Sequence, residues 1–276
     1  MQRFARRPRE GNAAMLLKAL IFDVDGTLAE TEEAHRQSFN EAFTAFGLDW
    51  HWDREVYRKL LQVTGGKERL AHYIDAWNPR ASAAARERFL QIYEDASARY
   101  AALVESGAAP ARPGVRRLIN EAHARGVRLA IATTSLEDSV ITLLRANLGQ
   151  DGPAKFAVIA AGDAVANKKP APDIYLLALE RLGLDSQDCV AIEDSANGIK
   201  AARAAGLNVL ACPSYYLKCD DFSLEGSVLS DLGEPDRPFR QISGLRFEKG
   251  YVDIDGLNAW LGKKGHPGSL PRAASA

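Results

Sequence analysis

The sequence predicts an α/β protein with a parallel-sheet core and a helical domain inserted after the first strand. Two patterns carry that prediction. From residue 115 onward, short apolar runs alternate with helix-length segments, as repeated βαβ units require. Before them, residues 30–104 are rich in Ala, Glu and Arg and hold no strand-like run. A third observation turns the fold toward chemistry: the apolar runs end in, or lead into, acids, hydroxyls and lysines.

The first strand is read over 17–24, where "LKALIFDV" is apolar enough to be buried on both faces. Helices are then expected at 32–46, 53–62, 67–77 and 82–104, interrupted by "TGGK" and "WNPR", whose Gly and Pro break helical texture. After "RPG" at 112–114 come strands at 127–133, 156–162, 189–194 and 207–213. Helices at 115–125, 137–148, 172–183 and 196–205 separate them. Residues 214–247 are polar, with Pro235 and Pro238, and read as loop-rich before a short terminal element, "YVDIDGLNAWL". The division expected is a core of 15–30 and 112–262, an inserted helical domain of 31–111, and disordered tails at 1–14 and 263–276. The first tail carries Arg3, Arg6, Arg7 and Arg9 with almost nothing to bury, and Met15 is a second candidate start.

Composition narrows the function classes. A chain of 276 residues with 46% hydrophobic and 26% charged content can bury a substantial core. A formal charge of −1 provides no field for nucleic acid or an anionic membrane. Its apolar runs fall well short of the roughly 20 residues a membrane span needs. Cys189, Cys212 and Cys219 are odd in number and lack ligand spacing, so they read as reduced thiols. His35, His51, His72, His123 and His266 are scattered and suggest no zinc site. The expectation is a cytoplasmic monomer acting on a small molecule, or a plastid stromal one if the basic start is a targeting remnant.

The strand ends are the candidate site, because ligands of open parallel sheets gather at the carboxyl ends of the strands. The first strand ends in Asp23 and Asp25. The second presents Thr133, Thr134 and Ser135, the third is followed by Lys168 and Lys169, and the fourth ends in Glu193 and Asp194. Several carboxylates in one crevice repel unless a cation joins them, and hard oxygen donors suit Mg2+. A lysine beside such a cation fits a phosphoryl group. One carboxylate then has a nucleophile's task and the other an acid/base task.

"DVDGTL", "IATT", the Lys169-Pro170 junction and "IEDS" together resemble, in order and spacing, the four motifs of the haloacid dehalogenase-like phosphohydrolases, over about residues 16–214. The resemblance implies a Rossmann-like core with an inserted helical cap. It makes Asp23 the nucleophile and Asp25 the general acid/base. Thr133 would bind the transferring phosphate and Lys169 would neutralise it. Asp23, the Asp25 backbone carbonyl and Asp194 would hold Mg2+, with Glu193 a ligand or supporting partner. Lys168 reads as a solvated loop residue.

A narrower resemblance is to the CbbY branch, carried by "FDVDGTLAETEEAHRQSFNEAF", "TGGKERL", "KKPAPDIYLLAL" and "EDSANGIKAA". It implies a phosphatase for xylulose 1,5-bisphosphate, as found in organisms with a Calvin cycle. Glu32 and His35 would face the sugar, and Gly65, Gly66, Lys67 and Arg69 would form a loop closing on a second phosphate, with Thr134 and Ser135 also touching substrate. From the residues alone, Gly65-Gly66 is equally a plain turn, and Lys67 and Arg69 are equally surface charges. The branch carries a histidine and a "KT" pair on its last cap helix, where "QIYEDASARY" (91–100) has Tyr93 and Glu94-Asp95-Ala96. That departure leaves the sugar open. A phosphosugar mutase and a non-catalytic sugar-phosphate binder are the competing readings.

Overall fold

The structure is a computed structural model and describes residues 17–78, 83–217, 222, 227–244 and 246–264. The tail expected at 1–14, the residues of the second tail from 265 onward, Met15, Cys219 and His266 lie outside the described residues.

Among the described residues the core is a seven-stranded sheet in the order β3-β2-β1-β4-β5-β6-β7. Its strands are β1 Ala19–Phe22, β2 Arg128–Ala132, β3 Val158–Ala160, β4 Cys189–Glu193, β5 Asn208–Ala211, β6 Ser227–Leu229 and β7 Gln241–Ser243. β1 to β6 run parallel and β7 pairs antiparallel to β6. Alternation along β1 sends Leu20 and Phe22 into one apolar cluster, and Ala19 and Ile21 into the cluster on the opposite face. Helices cover both faces, which is why the strand reads as a continuous apolar run.

The sheet grows outward from β1 in both directions: β2 and β3 extend one side, and β4 then returns to the other. This reversal opens a crevice at the carboxyl ends of β1, β2 and β4, the usual ligand site of such sheets. The helices flanking the sheet are α6 Val115–Ala124, α7 Glu137–Leu148, α8 Asp173–Leu182, α9 Ala196–Ala204 and α10 Ile254–Lys264. α10 carries Lys263 and Lys264 in its last turn, so these two residues continue the helix and do not open the tail.

Residues 214–247 depart from the loop reading in two places, since β6 and β7 extend the sheet. Each strand spans three residues, too short for any period to emerge from the sequence.

Between β1 and β2 stand the helices of the insertion: α1 Glu32–Ala45, α2 Arg54–Leu60, α3 Gly66–His72, α4 Ala83–Glu87 and α5 Phe89–Glu105. The helix expected at 67–77 is α3 continued by a π-helical turn at Tyr73–Trp77, and that expected at 82–104 breaks at Arg88. Phe39, Phe43, Trp50, Trp52 and Tyr57 build an aromatic core here that is separate from both sheet faces. Tyr216, from the loop after β5, is buried in the same cluster and donates its hydroxyl hydrogen bond to Glu33.

Candidate active site

Strand register brings the catalytic candidates together. Phe22 pairs with Ile131 on one side and Ile192 on the other, so Asp23 leaves β1 level with Glu193. The Asp23 amide still donates to the Ile192 carbonyl at 3.1 Å, and the Thr133 amide to that of Ala160 at 3.0 Å. These bonds fix the backbone of the strand ends before any side chain is placed.

Lys169 reaches this edge from the loop after β3. Its Nζ lies 2.7 Å from Asp23 Oδ1 and 2.6 Å from Glu193 Oε1. Glu193 is fully buried and wholly engaged. Oε1 also accepts from the Tyr175 hydroxyl at 2.6 Å, and Oε2 from the Asp194 amide at 3.1 Å and the Ser195 hydroxyl at 3.3 Å. Gly198 makes room for this carboxylate, since a Cβ there would collide with it. The sequence reading gave Glu193 a minor part; the structure makes it the brace that holds Lys169.

Oxygens of Asp23, Glu193 and Asp194 lie within 4.8 Å of one another. Burial pushes the Asp194 carboxyl well above the usual range, and the neighbouring Asp23 and Glu193 charges push it further. Asp23 is raised as well: burial and Glu193 outweigh the attraction of Lys169. On Lys169 the attraction of the two carboxylates overcomes burial and keeps the ammonium charged. The group is therefore over-supplied with negative charge, and a hard divalent cation would relieve it.

Asp25 lines the same cavity nearer the insertion. Its Oδ1 lies 3.2 Å from His35 Nε2, and its Oδ2 accepts a hydrogen bond from Ser135. Burial raises this carboxyl, but His35 and Ser135 outweigh burial and hold it below the ordinary range. His35 is stacked on Tyr100 of α5 with ring centroids 3.9 Å apart. Asp23 and Asp25, two residues apart, thus sit in opposite electrostatic settings. The Asp25 carboxylate stays outside the acid cluster, so only its backbone carbonyl suits the metal role expected for it.

Asp23, Asp25, Glu32, His35, Gly65, Gly66, Arg69, Thr133, Thr134, Ser135, Lys169 and Asp194 all line one cavity between the sheet edge and the insertion. Lys67 is exposed and does not line it, because the first turn of α3 carries its side chain outward. Arg69, two residues on, is buried. It donates to the Tyr57 hydroxyl at 2.9 Å, and that hydroxyl donates to Glu32 at 2.7 Å. Arg69 Nε is buried without a hydrogen-bond partner. Tyr93, Ala96, Ser97 and Tyr100 form the α5 wall, and Ser139 and Leu217 complete other parts of the lining. Of these, only the helical spacing of the α5 residues was a signal the sequence could give.

The family model for haloacid dehalogenase-like hydrolases matches residues 17–206. The chain is 46% identical over 260 residues to the plasmid protein CbbY of Cupriavidus necator, covering 93% of this chain and 100% of that one. It is 51% identical over 218 residues to CbbY of Rhodobacter capsulatus, covering 79% and 95%. A crystal structure of a Rhodobacter sphaeroides CbbY mutant in complex with xylulose-(1,5)bisphosphate superposes with a TM-score of 0.74 at 45% identity, over 79% of this chain and 96% of that chain. With a family model matched over most of the chain and CbbY relatives at 46–51% identity, the chain belongs to the haloacid dehalogenase-like hydrolases and is a phosphatase.

Proposed function

We propose that the protein hydrolyses a small sugar phosphate through an aspartyl-phosphate on Asp23, with xylulose 1,5-bisphosphate as the preferred substrate. The observation that carries this reading is the pairing of Asp23 with a buried, charged Lys169 at the floor of a cavity roofed by the insertion. The likeness to a CbbY structure that holds this bisphosphate supports the choice of sugar.

Asp23 Oδ attacks phosphorus and the bond to the sugar oxygen breaks. Thr133 and Lys169 offer a hydroxyl and a cation to the transferring group, whose charge is spread over its equatorial oxygens. Asp25 gives a proton to the departing sugar oxygen and later takes one from the water that cleaves the aspartyl-phosphate. His35 and Ser135 orient it for both tasks. Asp23 and Asp194 fit a Mg2+ ion, together with the Asp25 backbone carbonyl, while Glu193 is committed to Lys169 and Tyr175. When bound, the ion supplies charge neutralisation at the phosphoryl oxygens.

The unpartnered Arg69 Nε suits a second phosphate, and Gly65-Gly66 offers backbone N–H groups beside it. Of the two cations expected in this loop, Arg69 lines the cavity and Lys67 does not, and the setting of Arg69 also offsets the absent "KT" pair on α5. The test is phosphate release over sugar mono- and bisphosphates with Mg2+. Preference for a 1,5-bisphosphate ketose with stoichiometric free phosphate is the expected result. An isomerised sugar phosphate in place of free phosphate would overturn it in favour of a mutase, and loss of the bisphosphate preference would overturn the choice of sugar.

A further inference from the structure

We propose that Asn197 is a latch that fastens the substrate loop of the insertion to the metal side of the core. The proposal rests on the reading that a sugar phosphate is hydrolysed beneath the insertion, and it adds a positioning residue that touches neither substrate nor ion.

Asn197 lies in the first turn of α9, three residues after Asp194, and is only half-buried. Its side chain crosses to the insertion. Nδ2 donates to the Gln62 carbonyl at 3.2 Å and to Thr64 Oγ1 at 3.1 Å. Thr64, Gly65 and Gly66 line the cavity, so the stretch that Asn197 grips leads straight into the substrate loop. Asn197 itself does not line the cavity.

A second contact grips the same stretch independently. Leu61 packs at once against the sheet-face cluster and the aromatic cluster of the insertion. The segment from Leu61 to Thr64 is therefore held to the core by an apolar wedge and a polar fork. Within the insertion its backbone bonds stop at the end of α2: Leu61 N to Tyr57 O at 3.0 Å, then the turns Gln62 N to Lys59 O at 3.3 Å and Val63 N to Leu60 O at 3.0 Å. Such a segment, lying past the last helical bonds of α2, opens at low cost when its tie to the core is cut. Asparagine is also a poorer helix former than alanine, so its presence in α9 is not explained by the helix.

The consequence for catalysis follows from populations. Substrate bound between loop and core needs the loop down, and apparent affinity falls with the fraction of molecules that hold it so. Two hydrogen bonds of ordinary net strength move that equilibrium by roughly 5- to 30-fold. The effect belongs in KM, because once the loop is down the groups that react are unchanged.

The experiment compares wild type with Asn197→Ala and Asn197→Asp, using xylulose 1,5-bisphosphate and Mg2+. Both variants lose the two N–H donors. The expected result is a KM raised by roughly 5- to 30-fold, with kcat and the Mg2+ activation constant unchanged. In the substrate-free protein, amide hydrogen exchange over residues 61–66 accelerates in both variants while the melting temperature of Asn197→Ala does not fall. Thr64→Val raises KM as well, and adding Asn197→Ala to it raises KM less than the product of the single effects. Unchanged exchange over 61–66 overturns the latch, and so does a KM equal to wild type. Should the wild type hydrolyse no sugar phosphate, the proposed function fails and the exchange measurement alone decides the latch.

Discussion

The Lys169 ammonium lies 2.7 Å from Asp23 Oδ1 in a setting where both side chains are nearly excluded from solvent. A buried ion pair of this kind is weak evidence for net stability, but removing one partner strands the other. Lys169→Met leaves Asp23 and Glu193 without their cation. We expect metal-free protein to lose ~3–5 kcal/mol of unfolding free energy near neutral pH. The loss should shrink at pH 5, where the stranded carboxylates can take up protons. Urea unfolding in EDTA at both pH values measures this, and turnover should be abolished irrespective of stability.

Asp194 sets a pH dependence of the opposite kind to an ordinary salt-bridged carboxylate. Its folded-state pKa is raised by burial and by Asp23 and Glu193. The native state therefore binds the proton more tightly than the unfolded chain, whose value is about 4. Stability is highest below that value, falls as pH climbs toward the folded value, and carries the full penalty above both. EDTA-treated protein should thus show a melting temperature that drops from pH 5 to pH 8. Added Mg2+ should raise it most at the higher pH. Asp194→Asn should flatten the metal-free slope and remove the Mg2+ response; a slope that persists unchanged would contradict the assignment.

His35 and Ser135 keep Asp25 ionised against the effect of burial, with His35 the larger influence. Removing His35 lets the carboxyl rise. Asp25 must carry a proton to give to the departing sugar oxygen, so the alkaline limb of the kcat/KM profile moves to higher pH in His35→Ala, since a kcat/KM profile reports free-enzyme pKa values. Ser135→Ala should move it the same way by less. A limb that stays where wild type has it would separate Asp25 from the rate.

Much of this site was legible because its residues terminate apolar strands. Asp23, Thr133, Glu193 and Asp194 stand out where a buried run meets a polar residue that burial alone would disfavour. Lys169 was found by its place after the third run. The partners that make these groups work gave no such signal. Tyr175 meets Glu193 from the buried face of α8, and Asn197 meets residues more than 130 positions away. Arg112 is similar: its buried guanidinium gathers the carbonyls of Gly26, Cys212, Pro213 and Ser230 from chain segments that approach only in the fold. Periodicity also failed for β6 and β7, and a cationic substrate loop read from "GGKER" could not say that Arg69 turns inward while Lys67 turns out. That choice depends on the phase of α3 against α2, which is a packing outcome.

Gly26 offers the sharpest check on how tightly the strand ends are packed. It follows Asp25 with φ at +75°, in the left-handed region that disfavours a side chain. A Cβ at this position would run into Asp194 Oδ2 and approach Ser214 Cβ to 2.8 Å. Gly26→Ala is therefore strained twice, by its own backbone and by the carboxylate that must stay near Asp23. Relief comes only by moving Asp194 or the loop that carries Asp25. We expect Mg2+ affinity and kcat to fall together by at least tenfold, the equivalent of about 1.4 kcal/mol. Titration of Mg2+ by calorimetry alongside steady-state kinetics measures both. A variant that kept its Mg2+ affinity would mean that Asp194 can yield without consequence, and the role given to it here would fall.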